Sequence, residues 1–205
     1  MNLRESGFAL LEVLITIVIV AFGLLGLLGM QGKMEVAEVE AYQRAQATLL
    51  VSDMADRMRA SPFAACSAGG TITQRSQCMA SRLQAYVTSG ALGTGHSDPT
   101  DCSGQTLGAA RDECEWSNTL KGVAETSASA GVGAMTGARG CVDQLQAPDA
   151  SAGVCTPGIY RVSAVWQGLN ATATSAIACG SGLYGNENLR RVVAIPVSIA
   201  LPLCK

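Results

Sequence analysis

The distribution of apolar and polar side chains divides the chain near residue 32. From Phe8 to Met30 the only strongly polar side chains are those of Glu12 and Thr16. An α-helix of this length covers about 30 Å, the thickness of a bilayer core. The pattern therefore predicts a membrane-spanning helix.

Helical periodicity continues beyond the apolar segment. Residues 33–60 contain no proline and no glycine, and their apolar residues recur at intervals close to 3.6. These positions are Val39, Tyr42, Leu49, Leu50, Met54 and Met58. The two halves together predict one helix of about 50 residues and ~80 Å, ending at Ser61-Pro62 because proline disfavours a helical conformation in the residue before it. We expect the first half to span a membrane and the second half to pack on a globular domain.

Four glycines lie between the two halves, at Gly23, Gly26, Gly29 and Gly32. Each costs about 0.8–1 kcal/mol relative to alanine in a helix interior. The spacing is consistent with a hinge at which the helix unwinds locally. It is equally consistent with close packing between membrane helices through small residues, and the sequence leaves both interpretations open.

After Pro62 the pattern predicts short elements separated by loops. Helices are expected at Ser81–Val87 and at Ala109–Val123, where Trp116 and Leu120 form the buried face. The composition of residues 89–108 predicts a loop in which His96 is exposed to solvent.

Three strands are predicted in the second half, at Gly133–Leu145, Ile159–Gln167 and Arg191–Leu201. Alternation places Tyr160, Val162, Ala164 and Trp166 on one face of the second strand, and Val193, Ile195, Val197, Ile199 and Leu201 on one face of the third. Pro196 cannot donate a ladder hydrogen bond, which favours an edge position for the last strand. The predicted class is α+β, with a long helix packed on a small antiparallel sheet.

Composition narrows the possible functions. A chain of 205 residues has room for one membrane segment and one globular domain. Its net charge of −2 does not indicate direct binding to nucleic acid. The chain has a single histidine, so the sequence predicts neither a catalytic triad nor a set of zinc ligands. It also contains no G-x-S-x-G and no paired acidic motif, and thus no residues that indicate an enzymatic mechanism. We therefore expect no cofactor and no metal. Eight cysteines without any C-x-x-C predict disulfides and hence folding in the periplasm.

Glu12 and Gly7 distinguish this N-terminus from an ordinary anchor. A charged side chain in lipid costs at least about 2.5–3.5 kcal/mol and needs a partner. No Lys or Arg lies between Arg4 and Lys33, so the nearby cation would be an α-amino group, and cleavage after Gly7 would create one on Phe8. A secretory signal peptide would instead be cleaved after the apolar region, and a plain anchor leaves both residues unexplained.

These residues resemble the signature of type IV prepilins. The resemblance implies cleavage between Gly7 and Phe8 by a prepilin peptidase, N-methylation of Phe8, and a role in assembly for Glu12, the fifth residue of the mature chain. It also implies a leader at 1–7, a transmembrane and assembly half of the helix at 8–32, and a periplasmic globular domain at 33–205. The N-terminus with Arg4 would remain cytoplasmic.

The second half of the chain resembles the PilV-type minor pilins, also called type IV pilus modification proteins. The resemblance rests on Asp112-Glu113-Cys114-Glu115-Trp116, Arg139-Gly140-Cys141-Val142, Tyr160–Gly168, Cys179-Gly180 and Arg190-Arg191-Val192. It implies a subunit that joins other minor pilins and the major pilin, primes pilus assembly and sits at the tip beneath a large adhesin. Such pili support adhesion, twitching motility and DNA uptake.

Two other functions stay open at this point. A pseudopilin of a type II secretion system would use the same N-terminus, and a calcium site would favour it, although the sequence offers no clear acidic cluster. A membrane-anchored periplasmic enzyme is the alternative from a different class.

The cysteines are expected to pair sequentially, as Cys66–Cys78, Cys102–Cys114, Cys141–Cys155 and Cys179–Cys204. Cys141 and Cys155 flank a turn-rich loop between two predicted strands, which a hairpin would bring together. Cys102 and Cys114 bracket a loop that enters the Trp116 helix, and the family resemblance implies a similar pair before that tryptophan.

Overall fold

The computed structural model of the chain describes residues 10–66, 69–122, 126–127, 130–131, 135–151 and 153–201. Three α-helices are described: α1 (Leu10–Cys66), α2 (Ile72–Gln84) and α3 (Ala109–Leu120). The strands are β1 (Leu92–Gly93), β2 (Thr126–Ser127), β3 (Ala130–Gly131), β4 (Arg139–Gln146), β5 (Gly158–Gln167) and β6 (Arg190–Ile199). The chain divides after Ala41 into two compact units.

In the first unit, the described residues form the N-terminal part of α1. The large apolar side chains of this part are exposed, from Leu10 at 88 % to Met34 at 59 %. The helix is continuous through all four glycines, and a Cβ atom added at any of them would meet no atom within 4 Å. Within one chain, then, no packing contact requires the glycines.

The second unit is built on an antiparallel sheet of order β1-β4-β5-β6. The predicted face of β5 is buried and packs in one core with α1, α3 and the neighbouring strands. That core includes Val51, Met54, Met58, Trp116, Leu120, Val142, Tyr160, Val162, Ala164, Trp166, Val197 and Ile199. The predicted α+β architecture is confirmed, and β6 with Pro196 is an edge strand as expected.

The other face of the sheet is covered by the loop between β5 and β6. Cys141 and Val165 on the sheet form a second, smaller core with Cys179 and Tyr184 of the loop. The hydroxyl of Tyr184 donates to the carbonyl of Gly137 at 2.8 Å. The buried guanidinium of Arg190 donates to backbone carbonyls of the same loop, including that of Ile177 at 2.7 Å. The sheet therefore has a helical layer on one side and a loop layer on the other.

Two helix boundaries differ from the prediction. Helix α1 continues through Pro62 to Cys66, because Pro62 is buried and the last residue is bonded to Cys78 of α2, which holds the final turn in place. Helix α2 covers Ile72–Gln84 instead of 81–87. It begins with a capping box in which Gln74 N–H donates to Thr71 Oγ1 at 3.3 Å and Thr71 N–H donates to Gln74 Oε1 at 2.9 Å.

The remaining boundaries are closer to the prediction. Helix α3 begins at Ala109 as predicted and ends at Leu120, with Trp116 and Leu120 buried. Strand β4 begins at Arg139, six residues later than the predicted start at Gly133, which itself lies outside the described residues. Strand β6 covers Arg190–Ile199, against the predicted 191–201.

The disulfides follow the sequential expectation only in the first half of the chain. Cys66 is bonded to Cys78 and Cys102 to Cys114, each with Cα atoms 5.8 Å apart. Cys141 is bonded to Cys179, with Cα atoms 5.9 Å apart, so the expected pairs Cys141–Cys155 and Cys179–Cys204 are wrong. Cys155 is also disulfide-bonded, and Cys204 lies outside the described residues.

The position of Cys141 in the hairpin explains this difference. The predicted hairpin of β4 and β5 is present, but Cys141 is opposite Ser163. The strand continues five residues beyond Cys141, about 17 Å, before the connection that contains Cys155 begins. A disulfide needs Cα atoms within about 7 Å, so the partner of Cys141 comes from the loop that covers the sheet.

Candidate functional site: the N-terminal segment

Glu12 lies in the first turn of the described part of α1. The side chain is exposed, and it has no hydrogen bond or ion pair among the described residues. Gly7 and Phe8 lie outside those residues, so their predicted processing roles stay predictions.

Thr16, the other polar side chain of the apolar segment, needs no external partner. Its hydroxyl donates to the carbonyl of Val13 on the same helix at 2.8 Å. Between Leu10 and Gly32 the sequence contains no Lys or Arg, since the first basic residue of α1 is Lys33. Glu12 is thus the one group of this stretch whose charge the helix itself does not balance.

Helix α1 is also the one helix of the described residues that is long and apolar enough to cross a membrane. None of its most apolar 18-residue window is buried within the chain. Surface of this size and composition needs lipid or other apolar helices around it.

Residues 2–28 match a family model described as the prokaryotic N-terminal methylation motif. The N-terminus is pilin-type. Neither a curated protein nor a solved structure matches the chain. The motif supports a type IV pilin or pseudopilin in general, and the long apolar helix with its small antiparallel sheet and the three disulfides described above is a type IV pilin-like fold.

The pilin motif carries several general implications. It implies processing by a prepilin peptidase and partners in pilus assembly. Together with the apolar helix, it fits a protein that is anchored in the inner membrane and later assembled. It points to a structural, non-enzymatic family. Among the described residues, no cluster of three or more His, Cys, Asp or Glu residues could hold a metal ion.

Within the second unit, two tryptophans attach the part of α1 that follows Ala41 to the sheet and to α3. The indole N–H of Trp116 donates to the carbonyl of Leu50 at 2.8 Å, and that of Trp166 donates to Oε1 of Gln43 at 3.0 Å. Sequence reasoning missed Gln43. Its signal was its position in register with Ala47 and Val51, on the apolar face of the helix.

A second connection between α1 and α3 is ionic. Arg57 lies 3.0 Å from Asp53, 2.6 Å from Glu115 and 3.5 Å from Asp112, measured between nitrogen and oxygen atoms. Hydrogen bonds from Arg57 and Arg111 lower the pKa of the Glu115 carboxyl. This network fixes the orientation of α3 on the last turns of α1.

The loop before α3 is held by a largely buried carboxylate. Asp98 Oδ2 accepts hydrogen bonds from Ser117 Oγ, from Lys121 Nζ at 2.9 Å, and from His96, whose Nδ1 is also at 2.9 Å. Burial alone would raise the pKa of Asp98, but these donors outweigh it and lower the pKa. His96 is exposed, as expected, and in addition it is paired with Asp98.

Glu113 faces the same region from α3. Burial raises the pKa of its carboxyl to about 7; His96 opposes this shift, while the nearby Asp98 and Asp112 add to it. Sequence reasoning gave no signal for this shift, because the burial of Glu113 depends on the loop that folds over α3.

Proposed function

We propose that this chain is a minor pilin of a type IV pilus that helps to prime pilus assembly and to form the tip complex, and that supports adhesion and twitching motility. A prepilin peptidase cleaves between Gly7 and Phe8 and Phe8 becomes the methylated N-terminus. Its partners are other minor pilins, the major pilin and a tip adhesin. The chain resides in the inner membrane before assembly and in the pilus afterwards.

The observation that supports this proposal is the position of Glu12. The exposed carboxylate of Glu12 lies in the first described turn of α1, and the next 20 residues of the helix carry no cation. In lipid such a charge costs at least about 2.5–3.5 kcal/mol, so it must be matched from elsewhere. The α-amino group of a neighbouring subunit, at the start of the same kind of helix, supplies a positive charge at a comparable depth.

Apolar surface gives the second argument. The segment Leu10–Met34 exposes nearly all its large side chains, so it leaves a bilayer only where other apolar helices replace the lipid. A bundle of related subunits provides that replacement. The resemblance of residues 112–116, 139–142 and 160–168 to PilV-type proteins favours a minor subunit of such a bundle.

The test compares a deletion strain complemented with wild type, with Glu12→Val, or with Thr16→Val. Thr16→Val is the matched control, because it also removes a polar side chain but one already hydrogen-bonded to Val13. Glu12→Val should be cleaved and inserted into the membrane but nearly absent from sheared pili, and pilus number and twitching zones should fall to deletion levels. Thr16→Val should behave as wild type.

The same strains distinguish the alternative functions. A minor pilin requires that deletion reduces surface pili while protein secretion continues. Normal pili with a block in type II secretion would identify a pseudopilin instead. Incorporation of Glu12→Val into sheared pili at wild-type levels would contradict the pairing of Glu12 with a neighbour.

A further inference from the structure

A cavity of about 390 Å³ lies in the globular unit where the last turns of α1, the end of α2 and the start of α3 meet. It is lined by Ser61, Pro62, Ala64, Ala65, Arg82, Ala85, Tyr86 and residues 106–110. Its size falls within the range of pockets that accept ligands or single side chains of a partner.

The walls of this cavity are mainly alkyl. Five alanines, Pro62 and Leu107 account for most of the lining. The hydroxyl of Tyr86 is not available to a ligand, because it donates to the Asp112 carboxylate. Burial, and then this hydrogen bond, raise the pKa of Tyr86, so the ring remains neutral. An occupant would therefore be apolar over most of its surface.

Arg82 is the one ionised side chain among the described residues of the lining. Arg57, Arg59 and Arg111 each pair with a carboxylate, whereas none of the ion pairs found in the described parts of the chain includes Arg82. One Arg82 Nη atom lies 4.0 Å from the position that a Cβ atom would take on Gly108, the N-cap of α3. Among the residues that the structure describes, no carboxylate pairs with the charged end of the cavity.

The cavity is also open to a partner larger than a small molecule. Leu107 lines it, yet 74 % of this side chain is exposed. A small ligand held inside the cavity would leave Leu107 in water, whereas a polypeptide crossing the opening would cover it. Leu107 and Arg82 line the same cavity, and an exposed leucine together with an arginine that forms no ion pair among the described residues suits an apolar side chain next to a carboxylate.

We propose that this cavity is a docking site for a short apolar peptide segment that carries a carboxylate, supplied by another subunit of the assembly. The apolar side chain fills the alanine-lined space, and the carboxylate accepts hydrogen bonds from Arg82. The carboxylate is either an Asp or Glu side chain or a chain terminus. The proposal rests on the proposed function only in taking its partner from a pilus assembly.

Arg82 also lies in the last turn of α2, where a cation stabilises the helix dipole without any ligand. Arg82→Lys and Arg82→Glu separate the two roles, together with a charge change on the partner. A purely structural role would not respond to the partner's charge.

The experiment uses the full-length protein in its own cells, with p-benzoylphenylalanine at position 107. Ultraviolet irradiation should link it to one defined peptide, and mass spectrometry should find apolar residues within a few positions of a carboxylate. The matched control carries the same probe at Leu169, which is 54 % exposed and outside the cavity lining. This control should not capture that peptide.

The charge variants then test Arg82. Arg82→Glu should reduce the crosslink from position 107 at least fivefold, and Arg82→Lys should retain most of it. If the carboxylate is a side chain, its replacement by Lys should restore the crosslink to Arg82→Glu. If it is a terminus, a synthetic peptide of that segment should bind purified full-length protein at least tenfold more weakly as its C-terminal amide.

An undiminished crosslink in Arg82→Glu, a captured peptide without a carboxylate, or an adduct with lipid alone would overturn the docking site. The two proposals fail separately. If the chain is absent from pili but the charge-dependent crosslink persists in membranes, the pilus role is wrong and the docking site stands. If the chain is incorporated into pili but position 107 captures no peptide, the docking site is wrong.

Discussion

The indole nitrogen of Trp166 in β5 donates a 3.0 Å hydrogen bond to Oε1 of Gln43 in α1, 123 residues earlier in the chain. Both residues are buried, Trp166 to 2 % and Gln43 to 4 % exposure. A buried donor or acceptor that loses its partner costs about 1–3 kcal/mol. This bond therefore helps to fix the rotation and the distance from the sheet of the part of α1 that lies in the second unit.

Gln43→Leu should lower the free energy of unfolding by about 1–3 kcal/mol, because the indole N–H stays buried without an acceptor. Gln46→Leu, the same change on the same helix where the side chain bonds only to the exposed Tyr42 hydroxyl, should change it by less than about 0.5 kcal/mol. Urea unfolding of the full chain in micelles, followed by tryptophan fluorescence, measures both. Equal midpoints for Gln43→Leu and wild type would contradict the prediction.

Gly140 lies directly beneath Trp116. A Cβ atom on Gly140 would come within 2.2 Å of the indole Cη2 and 2.9 Å of Leu120 Cδ1, so Gly140→Ala forces the α3 side chains away from the sheet. Overpacking of this kind costs about 1–3 kcal/mol or more. Gly104→Ala is the control, since nothing lies within 4 Å of its Cβ position. Thermal unfolding should show a lower Tm for Gly140→Ala only.

The burial of Glu113 predicts a pH dependence of stability. Its pKa is raised from 4.5 to about 7, so between these values the folded chain binds a proton that the unfolded chain releases. The contribution of Glu113 to stability is thus present below about pH 4.5 and is lost as the pH rises through 7. Urea midpoints of Glu113→Gln should match wild type at pH 4.5 and exceed it at pH 8.

Glu115→Gln should change stability with pH in the opposite direction to Glu113→Gln. The pKa of Glu115 is lowered by Arg57 and Arg111, so the stabilisation it provides is present at pH 8 and is lost on acidification. Removing the Glu115 carboxylate should therefore lower the urea midpoint at pH 8.

The outcome that would contradict the Glu113 prediction is a urea midpoint that varies with pH in the same way for wild type and Glu113→Gln. It would show that the Glu113 carboxyl is not protonated in the folded chain.

The disulfide map can be completed by peptide mapping under non-reducing conditions. Six cysteines form three described pairs, Cys155 is disulfide-bonded as well, and the remaining cysteine of the eight is Cys204. We predict a peptide that joins Cys155 to Cys204 and another that joins Cys141 to Cys179. A free thiol at either Cys155 or Cys204 in periplasmic material would contradict this map.

Loop length predicts the relative cost of removing two of these bonds. The Cys141–Cys179 bond closes a separation of 38 residues and the Cys102–Cys114 bond one of 12. In the chain-entropy model these are worth about 4 and about 3 kcal/mol. Paired Cys→Ser variants should therefore show the larger loss of stability for Cys141 and Cys179.

Processing is tested by intact mass and N-terminal sequencing of the mature protein. We expect a chain that starts at a methylated Phe8, because Gly7 precedes it at the head of the apolar segment. A mature chain that starts at Met1, or at a residue beyond Met30, would contradict the cleavage prediction.

The spacing of apolar residues along the chain correctly predicted helices and strands that bury one face. The alternation in β5 and β6 and the spacing of Trp116 and Leu120 each correspond to one buried face, so those elements were found from the sequence. The start of α2 was missed, although Thr71 and Gln74 have the spacing of a capping box and could have indicated it.

Features that depend on contacts between distant parts of the chain could not be predicted from the sequence. The Cys141–Cys179 bond follows from a loop that returns over the sheet, and no spacing rule indicates such a return. Proline ends most helices, but Pro62 is buried and the turn after it is held by Cys78. In the candidate site, Glu12 was evident because a single carboxylate interrupts an apolar run, whereas the role of Gln43 required Trp166 to be in place.

Strand β6 and its proline bear on how copies of this chain meet. An edge strand presents backbone donors and acceptors to any other strand that approaches it. Pro196, opposite Arg161 near the middle of β6, removes one donor from that strand. The missing donor makes this edge a poorer template for the sheet of another copy, so copies of the chain are discouraged from joining strand to strand through β6.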